Sequence, residues 1–416
     1  LKSADPKTTQ TSPDPKPVVI AGGGLVGLSL ALMLAKSGIA STLIEARAFT
    51  LPDPDDQNYL GLDSRNTALS RRSVEIYREL GLWEVLGSHA QPIDQVQISE
   101  IGGFGKARLL ATEEKVESFG QVIENRWLGV QLLSLAQSEP LIELIGGVRI
   151  SAIEQDSSHV SLTVGPSEGE QQINTQLLVA ADGQGSFCRQ ALGITAQTKD
   201  YGQTAVVGVV ETDQPHQSIA YERFGPQGPL ALLPLKGDLR RSVVWIAKKG
   251  EESALVGAGN DGHFMQVLQQ AFGQRAGRFT RCGPRGSYPL VQVIADRQVS
   301  GRAVLMGNAA HTLHPVAGQG FNLCLRDAMV FTRMIGEFLA SKSLVDTAAL
   351  SQMLASYERA RAKDQARVTK FCDSVVAGFT HKSSVVKFTR NLGLLAFDRV
   401  PGIKPLVANF AMGLKS

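Results

Sequence analysis

Apolar residues along this chain follow two patterns. In the first, short unbroken apolar runs alternate with helix-period stretches: Val18-Val19-Ile20-Ala21 is followed by a helical pattern from Leu28 to Lys36, then by Ser41-Thr42-Leu43-Ile44. Two later runs share the design, Gln176-Leu177-Leu178-Val179-Ala180-Ala181 delivering Asp182-Gly183, and Ala303-Val304-Leu305-Met306 delivering Gly307-Asn308. Strands that are apolar at every position belong to a parallel sheet covered on both faces, because a half-wet sheet would show alternation. In the second pattern, over about residues 196 to 295, alternation is stronger and β-branched stretches such as Val206-Val207-Gly208-Val209-Val210 and Ser242-Val243-Val244-Trp245-Ile246 read as antiparallel strands. After Gly320 the helical period returns, with Met353 to Thr380 long and amphipathic.

The pattern predicts an α/β fold. A doubly wound domain spans 17–88, 119–195 and 296–340, with a mostly antiparallel β-sheet domain inserted from 89–118 and 196–295 and C-terminal helices from 341–416. Residues 1–16, with three prolines and no apolar run, read as a disordered tail.

The first apolar run ends in Gly22-Gly23-Gly24-Leu25-Val26-Gly27, a Gly-x-Gly-x-x-Gly turn between strand and helix. Gly22 allows the tight turn, Gly24 lets backbone N–H groups approach a pyrophosphate, and Gly27 lets helix and strand pack closely; the helix N-terminus then faces the anion. Glu45 closes the next strand, where an acid can bind an adenosine ribose hydroxyl, which makes the doubly wound domain a Rossmann-type dinucleotide fold. A second glycine pattern, Gly257 to Gly262, follows the polar run Lys248 to Ser253 and has no acid downstream, so it reads as a loop. Residues 18–35 carry no charge and could pass for a membrane span, but four glycines at the turn and the acid at Glu45 favour the phosphate loop.

Composition narrows the picture further. The chain has 416 residues, 43% of them hydrophobic, and a net charge of +3, too small to imply nucleic acid as a partner. Between Arg359 and Lys404, however, ten Lys or Arg face three Asp or Glu, interleaved with Phe388, Leu392, Leu394, Leu395 and Phe397. Such a stretch either packs a terminal helix with a solvated basic face or meets anionic lipid or an acidic partner. Cys188, Cys282, Cys324 and Cys372 form no Cys-x-x-Cys pair, as expected in a reducing compartment. His311 and His314 stand three apart with no further ligand cluster beside them, so no metal site is expected.

Three separated motifs bear on one long cofactor: Gly22 to Glu45; Asp182-Gly183-Gln184-Gly185-Ser186-Phe187-Cys188-Arg189; and Gly307-Asn308-Ala309-Ala310-His311 running on to Pro315-Val316-Ala317-Gly318-Gln319-Gly320-Phe321-Asn322. Together they resemble the class A flavoprotein aromatic hydroxylases, over residues 17 to 416. The resemblance implies FAD, held through Gly22, Gly24, Gly27, Glu45, Asp182, Gly183, Gly307, Asn308, Pro315, Gly318, Gln319, Gly320 and Asn322. It adds Arg65 near the FAD phosphates and Gln121, from Gly120-Gln121, near the cofactor. Asn308 departs from the aspartate usual in the wider family, yet its carbonyl oxygen can still accept a ribitol hydroxyl bond. That departure resembles the ubiquinone-biosynthesis branch, as do Tyr221-Glu222-Arg223-Phe224, Gly228 to Leu235, Ser242 to Trp245 and Ser287-Tyr288-Pro289-Leu290.

For this branch the resemblance implies a monooxygenase that uses NAD(P)H as co-substrate and O2 to hydroxylate a prenylated phenol. The protein is then expected in the cytoplasm, peripheral on the inner membrane or against other proteins of ubiquinone biosynthesis, or on the matrix side of a mitochondrion. His311 and Tyr221 are the candidate catalytic proton acceptors, because they lie in motifs expected near the reacting ring. A sibling acting at another ring carbon, or on a soluble phenol, remains open. A non-catalytic binding protein of the same architecture is opposed by the intact glycines, Glu45 and the complete Asp182 to Arg189 motif.

Overall fold

A computed structural model describes residues 16–51, 65–103, 105–165, 169–225, 228–256, 261–380 and 412–413. Five parallel strands form the centre of the first sheet, in the spatial order Ala303–Leu305, Gln171–Ala180, Lys16–Ala21, Ser41–Glu45, Ile142–Gly146. The strand Lys16–Ala21 is apolar from Val18 to Ala21 because both its faces are covered there. Val18 and Ile20 join the core formed with the helix Leu25–Lys36, while Val19 and Ala21 join a second core with Leu178, Ala180 and Leu305. Lys16 pairs with Thr175, so the strand begins one residue inside the expected tail.

The charge-free stretch 18–35 divides into a strand, a glycine turn and a twelve-residue helix. Among the described residues no helix is long and apolar enough to cross a membrane. The helix Gln319–Leu339 packs on Leu25–Lys36, placing Phe331 and Ile335 in the core with Leu30 and Leu34. The long helix Thr347–Thr380 adds Leu350, Leu354 and Tyr357 to that same core. This helix is therefore part of the nucleotide-binding unit. Residues 381–411, which hold the apolar members of the basic C-terminal stretch, and Gly257 to Asn260 of the second glycine pattern lie outside the described residues.

The second sheet has eight strands in the order His311–Thr312, Phe279–Ala295, Ala196–Thr212, Arg240–Lys248, Gly228–Pro234, Ile219–Gly225, Gln95–Glu100, Lys106–Leu110. All pairs are antiparallel except Ile219–Gly225 with Gln95–Glu100. Its outer face is sealed by the helix Asp261–Phe272, whose Phe264, Leu268 and Phe272 pack on Val206, Leu232, Val243 and Trp245. The inner face turns to the nucleotide unit, where Asn66 Nδ2 donates to Ser242 Oγ at 2.9 Å. Asn66 begins a small three-stranded sheet, Asn66–Ser70, Gly120–Glu124 and Gln91–Pro92, lying between the two large ones.

Candidate functional site

The glycine turn separates two demands that a sequence pattern merges. Gly22 has φ of +110°, and a Cβ there would stand 2.4 Å from the Ala181 carbonyl oxygen; one at Gly27 would stand 1.9 Å from the Gly22 oxygen. Both positions are closed by the protein's own backbone. A Cβ at Gly24 would meet nothing within 4 Å. Gly24 is the N-cap of Leu25–Lys36, no side chain caps that end, and the first intrahelical bond runs from Leu28 N to Gly24 O at 3.0 Å. The helix thus presents uncapped N–H groups to an open space, as an anion cradle requires. The Glu45 carboxylate bends back to this loop, accepting from Gly23 N at 2.7 Å and from Arg47 N at 3.1 Å.

The Asp182 turn lies against the same loop, with its Cα 2.9 Å from the Cβ position of Gly22. Its carboxylate accepts from Ser186 Oγ at 2.5 Å and Cys188 N at 2.9 Å, so it shapes its own turn. The buried Arg189 then crosses to the third motif, donating to Ala309 O at 2.9 Å and to Gln184 O at 3.0 Å. In that motif Gly307 takes φ of +65° and Gly318 φ of +60°; a Cβ at Gly307 would press on Val26 at 3.2 Å, which joins this turn to the first helix. Asn308 is exposed at the carboxyl edge of the sheet. Gly318 caps the helix Gln319–Leu339 without a side-chain bond, and a Cβ at Gly320 would meet nothing within 4 Å.

Three distant chain segments therefore meet around one groove whose glycines at 24 and 320 face open space. The FAD binding domain family matches residues 16–372. The chain is 35% identical to ubiquinone hydroxylase UbiL of Rhodospirillum rubrum over 95% of its own length and 89% of that protein's. It is 30% identical to 3-demethoxyubiquinol 3-hydroxylase of Escherichia coli, covering 96% of this chain and 99% of that one.

The chain belongs to the FAD-dependent monooxygenases of ubiquinone biosynthesis.

Its fold is also that of p-nitrophenol 4-monooxygenase from Pseudomonas putida, with a TM-score of 0.77 at 17% identity over 96% of this chain and 98% of that structure. The groove fits the cofactor on its own geometry. The one glycine of the motif whose Cβ would be free is the one where a pyrophosphate must pass, and the two that are closed are those needed for the turn and the helix packing.

Other predicted residues are placed differently. Asn322 is buried and saturated: its Oδ1 accepts from Ser70 N at 2.8 Å and Ser73 Oγ at 2.7 Å, and its Nδ2 donates to Ala68 O at 2.8 Å and Gly318 O at 2.7 Å. An amide has no further capacity, so its side chain ties the helix start to the small sheet and is not a cofactor ligand. His311 is engaged on one side of its ring, and its buried Nδ1 has no partner among the described residues. Its Nε2 donates to Asp327 Oδ2 at 2.6 Å inside a buried charge cluster with Arg361, Asp364 and Arg326. Burial opposes ionisation of Asp327, but His311 and Arg361 outweigh it and hold the carboxyl below its usual range.

Tyr221 points to the outer face of the sheet, edge-on to Phe272 at 5.3 Å, with its hydroxyl only within 3.5 Å of Arg275 O. That face is sealed by a helix, so Tyr221 cannot reach a ring on the inner side. Arg65 lies over the inner-face Tyr288 ring at 5.2 Å, and Gln121 Nε2 donates at 3.5 Å to Ser118 Oγ, just before its own strand. His314 is buried and pushed down to about 4 by loss of solvent. Its Nδ1 accepts from Val316 N at 3.2 Å, so Nε2 carries the proton toward Gln203 Oε1 at 3.3 Å. It is a neutral brace for the loop that Pro315 opens.

Arg189 is the residue the motif contained but whose work the sequence did not disclose. It stands in the middle of the short helix Phe187–Ala191, and its crossing to Ala309 needs the fold.

Proposed function

We propose that the chain hydroxylates 2-polyprenyl-6-methoxyphenol, at the carbon para to the phenolic oxygen, with NAD(P)H as reductant and O2 as oxygen source. The observation that carries the reading is the inner face of the second sheet. Ile98, Ala231, Leu233 and Val244 keep partial exposure there, while Leu230, Leu232, Val243 and Trp245 on the outer face of the same strands are buried. An apolar face that keeps partial exposure in this way suits a prenylated ring.

When bound, FAD supplies the redox chemistry that joins an oxygen atom from O2 to the ring. Gly24 and the N–H groups after it hold the pyrophosphate, Glu45 the adenosine ribose, Asn308 a ribitol hydroxyl, and the uncapped helix start at Gly318 to Gly320 favours negative charge on the cofactor ring. Asp182 and Arg189 position these segments, with Arg65 and Gln121 closing the groove from the small sheet. The apolar walls exclude water from the reacting face.

The prenyl tail originates in a bilayer, which gives the basic C-terminal stretch a docking role toward anionic lipid or a pathway partner. Arg359, Lys363 and Lys370 are exposed on the long helix, whereas Arg361 is buried against Asp327 and Asp364 and contributes nothing to such a surface. A second reading, hydroxylation of another ring carbon, is favoured by the Escherichia coli relative, named for 3-demethoxyubiquinol. Incubation with NADPH, labelled O2 and a panel of prenylated phenols separates the two: label para to the phenol oxygen supports the first, label at a different carbon the second. Label arriving from water overturns both.

A further inference from the structure

Strand register puts a single carboxyl in the middle of the inner face. Across six strands one row of paired residues reads Ala107, Ile98, Glu222, Ala231, Val244, Val207. Five are apolar, and the sixth is the immediate neighbour of Tyr221. Because side chains alternate between faces, the residue after an outward tyrosine points inward.

The two ends of the strand Ile219–Gly225 fix what Glu222 faces. Ala220, two residues before it, packs with Ala68 and Val122 of the small sheet. Phe224, two residues after it, lines one void with Pro229, His314 and Val316. Glu222 therefore looks into the gap between the small sheet and the loop from Asn308 to Gly320, the two segments that bound the cofactor groove. It is half-buried, and its carboxylate makes no hydrogen bond or ion pair with any described residue. Loss of solvent alone raises it from 4.5 to about 7. A carboxyl left without a partner in an apolar trough destabilises the fold, and such groups are found where a ligand supplies the partner.

We propose that Glu222 is the base of the reaction, accepting the hydrogen of the substrate's phenolic hydroxyl. This deepens the hydroxylase reading and rests on it. The phenolic O–H bond breaks, an O–H bond forms on the carboxylate, and the electron pair stays on the phenol oxygen, where it enriches the ortho and para carbons toward an electrophilic oxygen. A base that titrates near neutrality is matched to this transfer, since it is ionised at working pH and still basic enough to take the proton.

Other ionisable groups on the elements around the trough are few and engaged. Glu100 lies two residues beyond Ile98 on the adjacent strand and is buried with a partner of its own. Arg240 on the inner face of its strand is bound to Glu124 at 2.9 Å. Arg65 stands over Tyr288, His314 is neutral, and Asp373 on the long helix accepts from Tyr201 and Lys199.

The test uses the FAD-loaded full chain with 2-farnesyl-6-methoxyphenol and its O-methyl ether. For Glu222→Gln, kcat should fall about 10²-fold or more with KM changed less than about threefold, and the limb of the kcat profile near pH 7 should vanish; Glu222→Asp should restore part of the rate and the limb. Binding, followed by flavin fluorescence, should favour the phenol over the ether in the native chain and lose that preference in Glu222→Gln. A Gln variant with native kcat and pH profile overturns the proposal, as does equal weakening of phenol and ether, which would mark a packing role. If the native chain binds the phenol with the stated preference but never hydroxylates it, the hydroxylase reading fails while the contact at Glu222 stands.

Discussion

Gly24→Val tests the cofactor cradle without disturbing the fold. Gly24 has φ of −74° and ψ of −178°, an extended conformation that valine adopts readily, and its Cβ would meet nothing within 4 Å. The apoprotein should therefore lose no more than about 0.5 kcal/mol, as at an ordinary surface position. The cofactor should suffer far more. The N–H groups of Leu25, Val26 and Gly27 precede the first intrahelical bond and are free to donate. Displacing a pyrophosphate from two such donors forfeits about 3–6 kcal/mol, taking 1.5–3 kcal/mol for each bond to a charged group. The FAD dissociation constant should rise about 10²- to 10⁴-fold. Flavin absorbance after desalting gives occupancy, and thermal melts of apoprotein give stability. Gly22→Ala and Gly27→Ala are the contrast, since their Cβ atoms would strike backbone at 2.4 and 1.9 Å and should damage the melt itself. A folded Gly24→Val protein with native FAD affinity would refute the placement of the pyrophosphate.

Four further outcomes follow from the same structure. Asn308→Ala should weaken FAD by about 1–2 kcal/mol and Asn308→Asp should bind nearly normally, because only an acceptor is needed; an unchanged dissociation constant for the alanine variant removes the residue from the site. Tyr221→Phe should leave kcat within about twofold, since its hydroxyl contact is marginal and on the sealed face; a large loss in steady-state turnover would restore its catalytic candidacy. Glu222→Gln should stabilise the unliganded protein at high pH. The rise from 4.5 to about 7 is worth at most about 3.4 kcal/mol at 1.36 kcal/mol per pH unit, less what residual solvent screens. The folded state holds this proton more tightly than the unfolded state, so the native carboxyl costs nothing below pH 4.5, costs more as pH rises, and costs its full amount above about 7; denaturant melts that show no pH-dependent gap between the two proteins refute the shift. Co-sedimentation with vesicles should require anionic lipid and weaken with salt; equal binding to neutral vesicles, or none to either, leaves the basic stretch a packing role.

The fold was legible where a residue's burial follows from its neighbours in sequence. Val18 to Ala21 is apolar at every position because both faces are covered, and the pattern says so directly. The site was legible only in its backbone. Gly22 and Gly27 are required by local geometry, Gly24 leaves open the space beside the same turn, and local geometry is what a short motif encodes. Side-chain roles depend on distant partners, which no spacing reveals. Asn322 is spent on Ser70, Ser73 and Ala68, about 250 residues away in sequence. Tyr221 lies in the right segment but on the wrong face, and only the pairing of Ile219–Gly225 with both neighbours fixes which parity looks inward.

His311 shows how a residue inside a cofactor motif also ties that motif to the scaffold. The loop from Gly307 to Gly320 must hold two glycines with positive φ, at Gly307 and Gly318. The chain anchors it at both ends. At one end His311 reaches Asp327 of the helix Gln319–Leu339, and Asp327 is bound by Arg361 of the long helix, which also holds Asp364. At the other end Asn322 and His314 fasten the loop to the small sheet and to Gln203 of the second sheet. Two aspartates and two arginines, all buried, balance in charge around the first anchor. Removing any one of them strands another in low dielectric, so the cluster is costly to break, and its geometry is correspondingly fixed. The long C-terminal helix therefore reaches the cofactor site in two ways: through this charge cluster, and through Val368 and Cys372, which pack on Val316 of the loop itself.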